Sequence, residues 1–369
     1  MNNNELYERY QRQIILKEFG MEGQQKLLHA KVLVIGTGGL GCPVLQYLVA
    51  AGVGTIGIVD DDIVSLSNLH RQVLYSVDDI GKSKVVIAKI VLQKLNREIN
   101  IITYDKRLMT ENALEIINPF DIIVDGTDNF SSRYMINDAC VLLNKVLVFG
   151  AVSQWEGQVA VFNSPSGDGC INYRDLFPQP TKDGEVMNCA EAGVIGVLPG
   201  IIGTMMASET IKLITGIGFP LINRILTYNT LNNQSYELEV TPQKSTHLLI
   251  PGDEKAFKEM DYELLCASPL NSVEIDEVSF WQLIEKNNTA IIDVRELNEM
   301  PAVTSFAHLQ IPLGKINENL AELKTDTVVL FCQSGKRSLQ AAKLLLNIYG
   351  ANKNIYSLKG GIISLKKHN

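Results

Sequence analysis

The chain has little cysteine, and no two of its six cysteines (42, 140, 170, 189, 266 and 332) stand three residues apart. Thiols so few and so scattered do not make a disulfide scaffold. Reduced cysteines, with one or two reactive members, are expected instead. Positive charge is also in short supply. There are 33 Lys and Arg against 41 Asp and Glu, a formal net charge of −8. That balance argues against a nucleic-acid surface and leaves room only for local basic sites. Long unbroken apolar runs are missing too. The longest, Gly193 to Met206, holds four glycines and a proline, and reads as a buried helix, not a membrane span. The start, MNNNELYERYQRQ, is polar and does not have the form of a signal peptide. A cytoplasmic protein is expected, without membrane or nucleic-acid partners.

What is present is enough for two domains. At 369 residues, 46% apolar and 20% charged, each half can bury its own core. An amphipathic leading helix is expected over residues 5–29. Short β-branched runs follow at 31–35, 55–59, 99–104, 121–125 and 145–149, with helical patterns between them, such as 82–96. That alternation implies a parallel sheet covered by helices. The run 157–163 begins an antiparallel addition. A polar loop at 164–191, a helix to about Thr215, and strands at 224–228 and 235–240 complete a domain of residues 1–240. Residues 241–272 lack a clean period and read as a linker with room for a short helix. A smaller α/β pattern fills 273–369: helix 277–286, strands 290–293 and 327–331, helix 339–348 and strand 355–357.

The densest information lies in KVLVIGTGGLGCPVLQYLVAAGVGTIGIVDDDIVSLSNLHRQ, residues 31–72. A strand turns on Gly36, Gly38 and Gly41 (with Gly39 between) into an apolar helix. This is G-x-G-x-x-G spacing, which lets backbone approach a phosphate at a helix N-terminus. Asp60 closes the second strand, where an acid usually meets a ribose hydroxyl. The domain is therefore expected to be Rossmann-like. The motif alone is shared by NAD, FAD and other nucleotide sites. Asn68, Arg71 and Gln72 come just beyond the acid. A hydride-transferring enzyme has no need of a cation there, but an enzyme acting on ATP phosphates does.

DDDIVSLSNLHRQ, with GKSKV at 81–85 and GTDNFSSRYMIND at 126–138, resembles the ThiF/MoeB/HesA family, bacterial relatives of ubiquitin-activating enzymes. The resemblance runs from about Arg9 to Val240 and implies ATP-dependent adenylation. A carboxylate attacks the α-phosphate and pyrophosphate leaves, so cations and a metal must meet the phosphate charge. Arg71 and Lys84 match the family's phosphate-binding residues. Asp128 matches its Mg²⁺-binding aspartate, a hard ligand for a hard ion. Asp62 joins the ATP-binding set. Asp61 reads as a turn residue and Lys82 as solvated helix surface. Arg12, in RYQRQ, matches an arginine that reaches the partner subunit's active site, which implies a homodimer.

The last third resembles a rhodanese domain, a sulfurtransferase module. Cys332 ends a buried strand in VVLFCQSGKRS. The loop Cys332, Gln333, Ser334, Gly335, Lys336 and Arg337 then offers successive backbone N–H groups to a thiolate or persulfide. Lys336 and Arg337 are expected to add positive charge. The spacing is C-x4-R, one residue short of the C-x5-R of a phosphatase. An inert structural module is the other alternative. Asp293 and Arg295 resemble the module's scaffold pair, and VTSFAH at 303–308 departs from the family's rim segment. Cys189, in NCAEAGVIGVLPG, matches a cysteine that many adenylating relatives retain. It is a second sulfur nucleophile or a bystander. Cys42 reads as packing.

Many relatives carry two C-x-x-C pairs, a tetrahedral zinc signature. Here the first pair's positions hold Asn172 and Asp175, Cys170 has no thiol three residues on, and the second pair's region, TPQKSTHLLIPG, offers no cysteine. Structural zinc is expected to be absent. The resemblance implies a ubiquitin-like sulfur carrier ending in Gly-Gly (MoaD- or ThiS-like), adenylated with ATP and Mg²⁺. Cys332 would bring sulfur from a cysteine desulfurase or other persulfide donor. Molybdopterin biosynthesis is the first expectation and thiamine or another carrier pathway the second. An NAD-binding protein with a regulatory rhodanese-like module is the alternative of another class.

Overall fold

The computed structural model describes residues 3–165, 169–178, 193–266, 273–286, 288–316, 325–349 and 353–365. Cys189 lies outside them. The chain divides into two compact units, Met1–Cys266 and Ala267–Asn369.

In the first unit, helices α1 (Asn3–Ile14) and α2 (Gly20–His29) precede β1 (Lys31–Ile35), α3 (Gly41–Ala51) and β2 (Thr55–Val59). Then come α4 (Lys84–Leu95), β3 (Asn100–Tyr104), α5 (Ala113–Ile117), β4 (Ile122–Asp125), α6 (Phe130–Leu142), β5 (Val146–Ser153) and β6 (Glu156–Phe162). α7 (Tyr173–Leu176), α8 (Val197–Thr215), β7 (Arg224–Asn229) and β8 (Gln234–Glu239) follow. The strands form one sheet in the order β3-β2-β1-β4-β5-β6-β7-β8. Pairings are parallel from β3 to β5 and antiparallel from β5 to β8.

Strand period explains the layering. Along β1, Val32 and Val34 point into one core with Leu45 and Leu48 of α3, while Leu33 and Ile35 point into another with Ile116 and Phe120. A strand buried on both faces needs a continuous apolar run, which is what KVLVI supplies. α8 is long and apolar enough to cross a membrane by length and composition alone. It instead packs on α3, β5 and β6. A Cβ at its Gly203 would meet the carbonyl oxygen of Leu40 at 2.5 Å, so the helix can seat there only with glycine.

Two expectations are corrected. The leading helix is not continuous over 5–29: it breaks after Ile14 and restarts at Gly20, whose φ of +56° lies in the left-handed region. α1 is moored by Tyr10, whose hydroxyl accepts from Asn96 Nδ2 (2.9 Å). Gln13 Nε2 adds a bond to the carbonyl of Ala51 (3.1 Å). Nor do residues 241–266 of the expected linker stand apart from the first unit, while 267–272 lie outside the described residues. Short helices α9 (Lys244–His247), α10 (Glu254–Glu259) and α11 (Tyr262–Cys266) belong to the first unit. Phe257 and Tyr262 are buried in its core with Tyr134, Phe149 and Tyr173. Tyr262 donates to Asp138 Oδ2 (2.8 Å), which also accepts from Arg174 Nη2 (2.6 Å). The segment has anchors, but they lie too far apart to register as a period.

The second unit holds β9 (Glu274–Ile275), α12 (Glu277–Ile284), β10 (Thr289–Asp293), β11 (Leu309–Gln310), β12 (Thr327–Phe331), α13 (Lys336–Tyr349) and β13 (Asn354–Leu358). Its sheet is parallel, in the order β11-β10-β12-β13-β9. The unfamiliar 303–308 segment is structural. Phe306 packs edge-on against Phe280, Trp281 and Phe331.

Phe257→Ala in the full chain is expected to cost about 3–5 kcal/mol and to lower the calorimetric transition of the first unit. An unshifted transition would show that residues 253–266 do not belong to that core.

Candidate active site

The carboxyl ends of the parallel strands carry a cavity of about 740 Å³, the expected place for a ligand in a doubly wound sheet. Gly36, Gly38, Gly39, Asp60, Asp62, Asn68, Arg71, Gln72, Lys84 and Asp128 all line it. Ten sequence-predicted residues from three loops and the start of α4 are thus brought together. Gly41 does not line it and has a packing role: a Cβ there would meet the carbonyl oxygen of Gly36 at 1.9 Å. Gly36 itself has φ +88°, closed to most side chains. α3 begins at Gly41 with no side chain capping it, but the Cys42 N–H already donates to the carbonyl of Gly38 (3.0 Å) and Pro43 has none to offer.

Asp60 is more engaged than the ribose role alone requires. Its Oδ2 accepts from the backbone N–H (2.7 Å) and hydroxyl (2.8 Å) of Thr37, and its Oδ1 from the N–H of Asp62 (2.9 Å). Lys84 is buried and paired with Asp62 at 2.7 Å. Arg71 Nη1 donates to the carbonyl of Ser67 (3.0 Å) and contacts His70 Nε2 (2.7 Å). Asn68 accepts from the N–H of Ser65 (3.3 Å), closing a 3₁₀ turn. Asp128 is exposed on the cavity wall. Gln72 Oε1 and Arg133 Nε are buried at this wall without a hydrogen-bond partner. Orphaned polar atoms around a glycine cradle fit a polar ligand.

The carboxylates also suit a hard cation. Asp60, Asp61 and Asp62 offer oxygens within 4.8 Å of one another, and Asp128 lines the same cavity. Asp61 therefore belongs to the wall and is not only a turn residue. Burial pushes the Asp125 carboxyl up, opposed by Arg133 and by hydrogen bonds from Thr127. Arg12 is exposed on α1 and is not among the residues lining this cavity.

Lys106, Arg107 and Arg133 line the cavity without having been singled out from sequence. A signal was available for the first two. They follow β3 directly, at the end of the sheet where ligands bind.

In the second unit Cys332 follows β12 and is fully buried. Gly335, with φ +85°, turns the loop into α13. The loop is clamped from behind: the N–H of Ile362 donates to the Cys332 carbonyl (2.9 Å), and a Cβ at Gly361 would meet that oxygen at 2.3 Å. Burial pushes the thiol up. The hydroxyl and N–H of Ser338 and the N–H groups of Ser334 and Arg337 outweigh that, and the net shift is downward. Ser338 Oγ lies 3.6 Å from Sγ and in turn accepts from Ser357 Oγ (2.9 Å).

The expected charge of Arg337 is spent elsewhere, since both its Nη atoms donate to Glu299. Asp293 and Arg295 form a buried bidentate pair, and Arg295 Nη1 also holds the carbonyl of Pro301 (2.9 Å). By contrast, burial raises Cys42 and Cys266 to about 12, and Cys140 goes up as well. Among the described residues the depressed thiol is Cys332.

A cradle for nucleotide phosphates on one unit and a thiolate loop on the other define a nucleotide-handling enzyme with a sulfur-handling module. Residues 10–249 match the ThiF family and residues 277–368 match the rhodanese-like domain, so the chain belongs to the ThiF family and carries a C-terminal rhodanese domain. It is 50% identical over 262 residues to the sulfur carrier protein adenylyltransferase of Thermus thermophilus, covering 70% of this chain and 96% of that one. It is 41% identical to the probable adenylyltransferase/sulfurtransferase MoeZ of Mycobacterium tuberculosis, over 97% of this chain and 92% of that one. A crystal structure of E. coli MccB with MccA-N7isoASN shares the fold at 24% identity, TM-score 0.57, over 66% of this chain and 73% of that one.

Ser338→Ala is expected to move the Cys332 thiol upward. The readout is a pH titration of ultraviolet thiolate absorbance, taken as the difference from Cys332→Ala. An unchanged midpoint would remove the Ser338 hydroxyl from the account.

Proposed function

We propose that the first unit adenylates the C-terminal glycine of a ubiquitin-like sulfur carrier ending in Gly-Gly. The second unit then supplies sulfur from a Cys332 persulfide. The observation that carries this reading is the meeting of the glycine loop, Arg71, Lys84 and Asp128 in one cavity. The carrier carboxylate attacks the α-phosphorus of ATP and pyrophosphate leaves. Arg71 and Lys84 meet phosphate charge, and the glycine loop lets backbone approach it. Asp128, with the Asp60–Asp62 acids nearby, would hold Mg²⁺, which when bound neutralises phosphate charge on ATP and the departing pyrophosphate.

The acyl-adenylate carbonyl is then attacked by the terminal sulfur of the persulfide, and AMP leaves. That gives an acyl disulfide on Cys332. A second thiolate, for which Cys189 is the candidate, attacks Sγ of Cys332. The thiocarboxylate leaves, and a disulfide remains for an external dithiol to reduce. A cytoplasmic setting suits this, because free thiols persist in a reducing compartment. A cysteine desulfurase or another persulfide donor would load Cys332. A Porphyra purpurea relative, 37% identical over 98% of this chain, is named a probable molybdopterin-synthase adenylyltransferase, which supports that pathway ahead of thiamine. The same reading includes no structural zinc.

A homodimer completes the site. Arg12 stands outside its own chain's cavity, while Ile63, Leu66, Val73 and Val77 are 60–70% exposed beside Asn68 and Arg71, an apolar face for a second copy.

The test is ATP–pyrophosphate exchange with a Gly-Gly carrier. Asp128→Ala should lose roughly 10²-fold or more; near-normal exchange would sink the metal assignment. Cys332→Ala should keep exchange yet yield no thiocarboxylate by mass spectrometry of the carrier, and full thiocarboxylate would sink its role as sulfur carrier. Arg12→Ala and Asp128→Ala proteins, each inactive alone, should regain exchange on mixing. Failure to complement would remove Arg12 from the partner's site.

A further inference from the structure

Two four-residue turns face each other in the first unit: Asn172–Asp175, which opens α7, and Gln243–Thr246, which opens α9. Their end positions repeat the i, i+3 spacing of paired zinc ligands, but the side chains are Asn, Asp, Gln and Thr. Asn172, Asp175 and Thr246 are 0%, 6% and 2% exposed. At the centre is not a gap but the Asp175 carboxylate. Its Oδ2 accepts from the backbone N–H (2.8 Å) and Nδ2 (2.9 Å) of Asn172. Its Oδ1 accepts from the backbone N–H of Gln243 (3.0 Å) and the hydroxyl of Thr246.

This arrangement does not fit a zinc ion. Zinc takes thiolate, imidazole or carboxylate lone pairs from four directions. Here one carboxylate stands alone, and four N–H and O–H groups point their hydrogens at it. Both carboxylate oxygens are filled, and Asn172 Oδ1 is occupied by the N–H of Arg174 (2.9 Å). A cation at this centre would meet donors, not acceptors.

We propose that the Asp175 carboxylate takes the structural place of a metal, an anionic hub that joins the two turns through neutral donors. Through Thr246 it fixes the start of the segment that carries Phe257 and Tyr262 into the core. The first unit is therefore metal-independent at a place where many relatives carry zinc ligands. This rests on the metal-free reading above and not on the adenylation chemistry, so failure of pyrophosphate exchange in a normally stable protein would leave it standing.

The experiment uses the full chain. Elemental analysis should find no stoichiometric zinc, and the calorimetric transition of the first unit should be unmoved by excess chelator. One zinc per chain, or a chelator-induced fall, would overturn the proposal. Asp175→Asn puts an amide donor among donors and should lower that transition by about 5 °C or more. Thr246→Val, which keeps the shape and removes the hydroxyl, should lower it by a smaller but measurable shift, and Thr246→Ser should restore it. If Asp175→Asn does not fold, the Thr246 pair decides. Thr246→Val at the wild-type midpoint would overturn the hub, as would a Thr246→Ser protein no better than Thr246→Val.

Discussion

The cavity hangs from one carboxylate. Asp60 follows β2 directly and reaches across to Thr37 in the glycine loop, taking both its N–H and its hydroxyl. The loop is thereby fixed to a neighbouring strand by a group that carries charge, and charge-assisted bonds of this kind are the strong ones. The other oxygen takes the N–H of Asp62, which places Asp62 against Lys84. Glycine loop, acid trio and Lys84 are therefore oriented by a single side chain. A ligand arriving there meets a wall whose shape is already set, and preorganisation of that sort is where electrostatic stabilisation gets its strength.

α6 performs a comparable service at longer range. Its N-terminal end, capped by Asn129, brings Ser132 and Arg133 to the cavity. Two turns on, Asn137 Oδ1 accepts the N–H of Tyr173 (2.7 Å), and Asp138 gathers Arg174 and Tyr262. One helix thus connects the nucleotide wall to the last helix of the first unit. Asp138 is fully buried with its partners, and removing one member of such a set leaves another charge stranded, which costs far more than the pair contributes.

Much of this was legible in the residues. β1, β2 and β12 begin and end where the apolar runs do, because strands buried on both faces must be continuous apolar segments. The glycine spacing and SNLHRQ located the cavity, since each needs a particular residue type at a particular offset. What escaped notice was carried by single contacts between distant positions. Residues 241–266 hold to the core through Thr246, Phe257 and Tyr262, eleven and five residues apart, and no local pattern records that. The pairing of Arg337 with Glu299 is likewise invisible, because a cation beside a thiolate loop reads as a thiolate partner until the acid 38 residues upstream is seen. The left-handed Gly20 that splits the leading helix was the kind of signal that could have been read.

Cys332 combines two properties that ordinarily exclude each other. Its thiol is depressed, yet the residue has no exposed surface. Oxidants find cysteines by thiolate character together with access, and at Cys332 the loop favours the first while burial limits the second. Extending it by one sulfur atom moves the nucleophile outward from Sγ. On the proposed route, the sulfur to be transferred therefore lies less deep than the thiol that carries it.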